Sequence, residues 1–328
     1  MQTLRQILEE IQSYSDGQEM SREPHNLYDP IAYILQLGGK RLRPALVLMG
    51  YNLYGDDTKK ALPAAFAIEL FHNFTLMHDD IMDNAPLRRG KPTVHERYDR
   101  NTAILSGDAM LILAYRYLMS VDADARVCTE AINIFNRCAL EVCEGQQMDM
   151  DFENRTDVSI PEYLKMIELK TAVLLGAALE IGAIIGAAKQ DDAKHLYEFG
   201  RKLGISFQLQ DDILDSFGDP ATFGKKVGGD ISQNKKTFLY LHSLETAEPA
   251  DREALWNWYH SAVDESRSAE KIEAVKQIFL RCGVVDRANE LKNRYYHEAL
   301  ENLRMVAIPE TAKATMYGFA ADLMQRSV

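Results

Sequence analysis

Apolar residues recur at three- and four-residue steps along most of the chain, the period of a helix rather than of a strand. Leu4, Ile7, Leu8 and Ile11 open the pattern. Residues 62–83, 103–120, 126–151, 161–188, 193–215 and 254–282 continue it, and each stretch predicts a helix with a buried face. Alternating polar and apolar runs of strand length are missing, so the chain predicts an all-α fold. The most apolar run, residues 172–188, is rich in Gly and Ala and is interrupted by Glu180. It lies near the lower length limit for a bilayer span. It predicts a helix buried on all sides by other helices, with small residues allowing close approach, and no transmembrane segment.

The breaks between these runs are equally marked. Gly38-Gly39 ends one helix, and Pro44 falls where the next begins. Residues 84–94 hold two prolines and a glycine, and residues 217–237 form a second long break. An unstructured stretch of that length inside a folded unit is usually functional. No shift in composition marks a boundary, so the chain reads as one helical domain over residues 1–328. It also contains an echo: Asp79-Asp80-Ile81-Met82-Asp83 returns as Asp211-Asp212-Ile213-Leu214-Asp215. Each copy ends an apolar helical run, and each precedes one of the two breaks.

Charge narrows the function. The chain of 328 residues carries a net charge of −12, which argues against a nucleic-acid binder. Four cysteines show no CxxC and no metal-ligand spacing, and read as small buried residues of a reducing compartment, the cytoplasm. The opening segment mixes Arg5, Glu9 and Glu10 with its apolar residues and lacks the pattern of a signal peptide.

The acids then need a partner. Residues four apart share a helix face, so Asp79 lies with Asp83 and Asp211 with Asp215. Like charges so placed cost roughly 0.2–0.5 kcal/mol per pair. A solvated helix end is the bland reading of one DDxxD; two copies with the same internal spacing point to a hard divalent cation such as Mg²⁺, which takes carboxylate oxygens and leaves positions open for phosphates. Bases follow each acidic segment. Lys40, Arg41 and Arg43 open a helix, Arg88 and Arg89 follow Asp83, and Lys225, Lys226, Lys235 and Lys236 fill the second break. Lys226 and Lys236 read as solvated loop residues; the other bases suit phosphate oxygens that a metal does not reach. Together these features predict a site for one or two diphosphates. No GxxxxGK[ST] loop occurs, which sets aside a P-loop nucleotide enzyme. Phe66, Phe71, Phe74 and Met77 precede the first acidic cluster, either as plain core or as an apolar wall beside the phosphates.

GGKRLRP at 38–44, HNFTLMHDDIMD at 72–83, RRGKPTVH at 88–95, LKT at 169–171, FQLQDDILD at 207–215 and GKKVGGDI at 224–231 resemble, in order, the motifs of the trans-isoprenyl diphosphate synthases, the polyprenyl synthetase family. The resemblance implies the isoprenoid synthase type I fold, a single bundle of antiparallel helices around a central cavity. It implies a prenyltransferase that condenses isopentenyl diphosphate with an allylic diphosphate. Asp79, Asp80, Asp83, Asp211, Asp212 and Asp215 then form the two motifs that hold three Mg²⁺, with Asp211 and Asp215 of the second touching metal directly. Lys40, Arg43, His72 and Arg89 bind isopentenyl diphosphate, and Arg88, Lys170, Lys225 and Lys235 the allylic diphosphate. Lys170, Thr171 and Gln208 face the developing carbocation. Lys226 stands where many relatives carry proline. No protein nucleophile is required, so His78 and His95 are not assigned as bases, and His78 reads as a structural hydrogen-bonder.

Phe71, Phe74 and Thr75 mark the floor for the growing chain. Phe74 lies five residues before Asp79, about 7.5 Å along a helix. In the family, an aromatic there with a small residue at the next position resembles synthases of the C20 product, geranylgeranyl diphosphate. Phe71 as an earlier stop leaves the C15 product, farnesyl diphosphate, as the alternative. A class I terpene cyclase is a more remote reading, since it uses a different second metal motif. A metal phosphohydrolase lacks recognisable further ligands here, and a non-catalytic subunit is expected to lose an aspartate motif. The resemblance also implies a homodimer.

Overall fold

The chain folds almost wholly as helices joined by short turns. The structure is a computed structural model that describes residues 2–219, 227–261 and 265–324. Its chain divides into two units. One comprises Met1–Arg137, Ala177–Tyr197 and Val306–Met316; the other comprises Cys138–Gly176, Glu198–Met305 and Tyr317–Val328.

In the first unit, α1 (Leu4–Asp16) begins at a capping box. The Thr3 hydroxyl accepts from Gln6 N, and the Gln6 side chain accepts from Thr3 N at 2.9 Å. Ile7 and Ile11 are its buried face, as their spacing predicts. α2 (His25–Gln36) and α3 (Leu42–Tyr51) flank the double glycine. α4 (Leu62–Met82) is buried almost continuously from Ala64 to Phe71 and packs against α3 and α6 (Arg100–Met119). The apolar run also behaves as expected. Ala177, Ala178, Leu179, Ile181 and Ala183 are wholly buried, and Glu180 is neutralised by Arg137 at 2.7 Å.

The all-α expectation holds, with one small hairpin added to it. Residues 84–94 contain a hairpin, β1 (Leu87–Arg88) paired antiparallel with β2 (Lys91–Pro92). Its two-residue turn is Arg89-Gly90, with φ of 54° and 74°. Positive φ at both central residues is the geometry that matches the twist of paired strands. A two-residue strand is too short to show alternation, which is why the pattern misses it. α5 (Val94–Arg97) follows.

α7 (Ala125–Asn154), α9 (Val173–Ile185) and α10 (Gln190–Phe217) each carry residues of both units. Within the second unit lie α8 (Ile160–Ile167), α11 (Gly229–Ser232), α12 (Phe238–Thr246), α13 (Pro249–His260), α14 (Ser268–Arg281) and α15 (Val284–Met305), whose last residue precedes the first unit's final segment. α16 (Ala314–Met324) follows. The core here joins Tyr163, Ile167, Leu209, Ile213, Phe238, Tyr240, Leu255 and Phe279 among others.

Two expectations need correction. The helix predicted over 254–282 is two helices, because α13 stops at Ser261, whose ψ of 145° is extended. Between α8 and α9, Glu168–Ala172 forms a π-helical turn inside the helix predicted over 161–188. Among the described residues, no helix is long and apolar enough to cross a membrane.

Candidate active site: two acidic and basic clusters

The first cluster lies within the first unit. Asp79 and Asp80 occupy the last turn of α4, and Asp83 is its C-cap. Carboxylates at that end oppose the helix dipole, so the position demands positive charge. The hairpin supplies it: Arg88 Nε and Nη2 donate to the two Asp80 oxygens at 2.7 Å each. Asp80 is 2% exposed, and burial pushes its carboxyl up more than Arg88 pulls it down. Asp79, whose Oδ2 also lies 3.9 Å from Arg88 Nη2, and Asp83 are one turn apart on the same face.

Basic groups gather on the neighbouring elements. Arg43 lies in the first turn of α3, and its Nη1 is 3.1 Å from His72 Nε2 on α4. Guanidinium only donates, so this nitrogen of His72 accepts and its imidazole is neutral. Burial, followed by Arg43, Arg89, Arg88 and Arg41, holds the His72 pKa well below its ordinary value. The Arg89 guanidinium lies over Gly39; a Cβ built on Gly39 would stand 2.7 Å from it. With φ of 138°, Gly39 is also in a conformation that side chains avoid. Lys40 is exposed beside it. Arg43 and Arg89 beside a neutral imidazole suit an anion with several oxygens.

Arg41 takes a different part. It caps α3 at φ of 49°, forms a buried ion pair with Glu69 and donates to Leu35 O at 2.7 Å. It therefore shapes the loop on which Lys40 and Arg43 stand. Nothing in the run Lys40-Arg41-Leu42-Arg43 distinguishes this internal partner from its neighbours.

The apolar side of α4 separates its aromatics. Phe71 is buried against Phe135, with ring centroids 5.1 Å apart. Phe74 is half-buried, 5.7 Å from Phe71 and 4.8 Å from the His78 ring. Thr75 turns back on its own helix, its hydroxyl donating to His72 O at 2.8 Å. His78 Nε2 lies 3.1 Å from Ile104 O, in the structural hydrogen-bonding role expected of it.

The second cluster lies within the second unit. Asp211, Asp212 and Asp215 occupy the last two turns of α10, again at the negative end of a helix. Asp212 is 4% exposed; Tyr163 Oη donates to one oxygen and Gln208 Nε2 to the other at 3.2 Å. Burial and then Asp230 raise its carboxyl well above the ordinary range, against the pull of those two donors. The Thr171 hydroxyl lies 3.4 Å from Gln208 Oε1. Asp215 Oδ2 accepts from Asp230 N at 2.9 Å, tying the motif to the start of α11.

Lys170 stands in the π-helical turn and reaches Asp149 at 2.7 Å; Lys235 reaches the same carboxylate at 3.4 Å. Burial alone would raise Asp149, but the two ammonium groups outweigh it and hold the carboxyl below its usual range. Asp149 thus collects the two lysines, a part that its place in α7 does not announce. Lys236 corrects the sequence reading. It is buried, not solvated, and donates to Phe152 O at 2.6 Å and Glu153 O at 3.1 Å, closing the last turn of α7. Lys225 and Lys226 lie outside the described residues.

Among the described residues, no three or more His, Cys, Asp or Glu gather closely enough to cage a metal ion alone. The i, i+4 carboxylate pairs instead suit Mg²⁺, which is commonly bound through one or two carboxylates plus substrate phosphates.

Comparison with known proteins gives these clusters a setting. The polyprenyl synthetase family model matches residues 24–278. The geranylgeranyl diphosphate synthase of Methanosarcina mazei is 38% identical over 280 residues, 85% of this chain and 84% of its own. A crystal structure of a geranylgeranyl pyrophosphate synthase aligns over 100% of both chains with 48% identity and a TM-score of 0.93. That of the Corynebacterium glutamicum geranylgeranyl pyrophosphate synthase, complexed with isoprenyl diphosphate and magnesium, covers 98% of each chain at 25% identity and a TM-score of 0.86. The fold is that of the all-α isoprenoid synthases.

Proposed function

This chain belongs to the polyprenyl synthetase family of chain-elongating prenyltransferases, and from that premise we propose that it condenses isopentenyl diphosphate with an allylic diphosphate to give geranylgeranyl diphosphate. One observation carries the reading: in a single unit, the Asp79–Asp83 pair stands with Arg43, Arg88 and Arg89 around a neutral His72. Acids for a cation and bases for phosphate oxygens meet on α3, α4 and the hairpin.

Arg43 and Arg89, with Lys40 and His72, hold isopentenyl diphosphate. Asp79, Asp83, Asp211 and Asp215 supply the carboxylates for three Mg²⁺. When bound, Mg²⁺ supplies Lewis-acid charge that lets the allylic diphosphate leave. Arg88, Lys170, Lys225 and Lys235 take the diphosphate oxygens. Thr171 and Gln208 turn oxygen dipoles toward the allylic carbon as positive charge grows there. The double bond of isopentenyl diphosphate attacks that carbon, and a proton leaves to the released diphosphate. The chain reads as one synthase domain over residues 1–328, in the cytoplasm.

Product length follows from α4. Phe74 keeps exposed surface five residues before Asp79, whereas Phe71 is sealed behind it in the core. The C20 product is therefore favoured over C15. The test is direct: purified protein with Mg²⁺, labelled isopentenyl diphosphate and C5, C10 or C15 primers, with products sized after dephosphorylation. A C20 product is expected. Diphosphate release without carbon–carbon bond formation overturns the reading.

A further inference from the structure

The middle aspartate of the second motif does not look outward. Its two described partners are both donors on protein groups, the Tyr163 hydroxyl and the Gln208 amide. Gln208 and Asp212 lie one turn apart on α10, and Tyr163 approaches from α8.

The consequence concerns the direction of one amide. Gln208 has two faces, an acceptor oxygen and a donor NH₂. The Thr171 hydroxyl beside it both donates and accepts, so it cannot choose between them. The two oxygens of Asp212 accept from Tyr163 and Gln208, so the one facing Gln208 draws the NH₂ toward itself. Oε1 is then turned toward Thr171, where it is found at 3.4 Å. A flipped amide would instead point partial positive charge along that line, opposing a cation formed there.

We propose that Asp212 is a positioning residue: locked by Tyr163, it fixes the Gln208 amide with its oxygen toward Thr171 and the developing carbocation. The proposal rests on the synthase reading and deepens it.

The experiment is a swap with rescue. D212N is expected to lower kcat at least 10-fold, with KM for both substrates and half-saturating Mg²⁺ changed less than 2-fold, because an asparagine at this position presents the Gln208 amide with a donor as readily as an acceptor. Y163F, which removes one oxygen, is expected to lower kcat in the same sense. The double variant D212N/Q208E exchanges amide and carboxylate between the two positions. It keeps a hydrogen bond between them and an oxygen facing Thr171, so it is expected to recover most of the kcat lost in D212N. D211N serves as the contrast, with half-saturating Mg²⁺ raised 10-fold or more. A shift in Mg²⁺ dependence in D212N like that of D211N, or no recovery in the double variant, overturns the proposal. Wild-type condensation is measured alongside. Its absence sinks the synthase reading itself, whereas an active wild type with unaffected D212N sinks only the positioning role.

Discussion

Asp80 and Asp212 occupy the same place in two copies of one motif, and both are turned into the protein. Asp80 gives both oxygens to Arg88, and Asp212 is held by Tyr163 and Gln208. Six aspartates were legible as metal candidates in the sequence, because their spacing is visible there. The resemblance leaves the cation to Asp211 and Asp215 in the second motif, but the partners that take up Asp80 and Asp212 were not legible, because Arg88, Tyr163 and Gln208 are brought in by the hairpin, by α8 and by a preceding turn. His72 yields a pH prediction at this scale. Its folded pKa lies well below the unfolded value of 6.5, so the unfolded chain binds the proton more readily. The contribution is present above pH 6.5 and is lost as pH falls through that value. By pH 5.5 the wild type is expected to lose on the order of 1 kcal/mol relative to H72Q, whose amide oxygen still accepts from Arg43. Parallel thermal melts from pH 7.5 to 5.5 measure this. Equal slopes for the two proteins remove His72 from the account.

At the scale of elements, α4 has three duties: a core flank, an aromatic wall and an acidic end. Its apolar period, its aromatics and its DDxxD all stand in the sequence, so the helix and its site were readable together. The π-helical turn at Glu168–Ala172 was not. It shifts hydrogen bonds by one residue without altering the apolar spacing, and such bulges are frequent at functional sites. The break after α13 escaped for a related reason, since apolar spacing alone does not register where the backbone turns extended at Ser261. For the aromatic wall, Phe74→Ala is expected to shift products beyond C20, since Phe71 remains sealed against Phe135. An unchanged product ladder by chromatography would show that the wall lies elsewhere. Phe71→Ala, by contrast, opens the core and is expected to cost about 3–5 kcal/mol of stability.

At the scale of the molecule, α6 leaves an apolar stripe in water. Leu105, Ile112 and Met119 recur every seven residues and are 59%, 68% and 65% exposed. Asp108 and Arg116 are exposed between them, and apolar residues at this seven-residue spacing suit a helix from a second copy of the chain. This supports the homodimer implied by the family resemblance. Ile112→Glu is expected to halve the mass in solution measured by light scattering. A wild-type monomer, or an unaltered assembly in the variant, would rule out α6 as the joint.

The acidic ends of α4 and α10 carry one last consequence. Each places carboxylates where the peptide dipoles already accumulate negative charge, so a bound cation relieves repulsion at the helix tip. A ligand that binds only the native form strengthens it, by about 2.7 kcal/mol at a hundredfold excess over Kd. Removing divalent ions is therefore expected to lower the melting temperature as well as turnover, and equal melts with and without Mg²⁺ would show that the helix tips need no such relief.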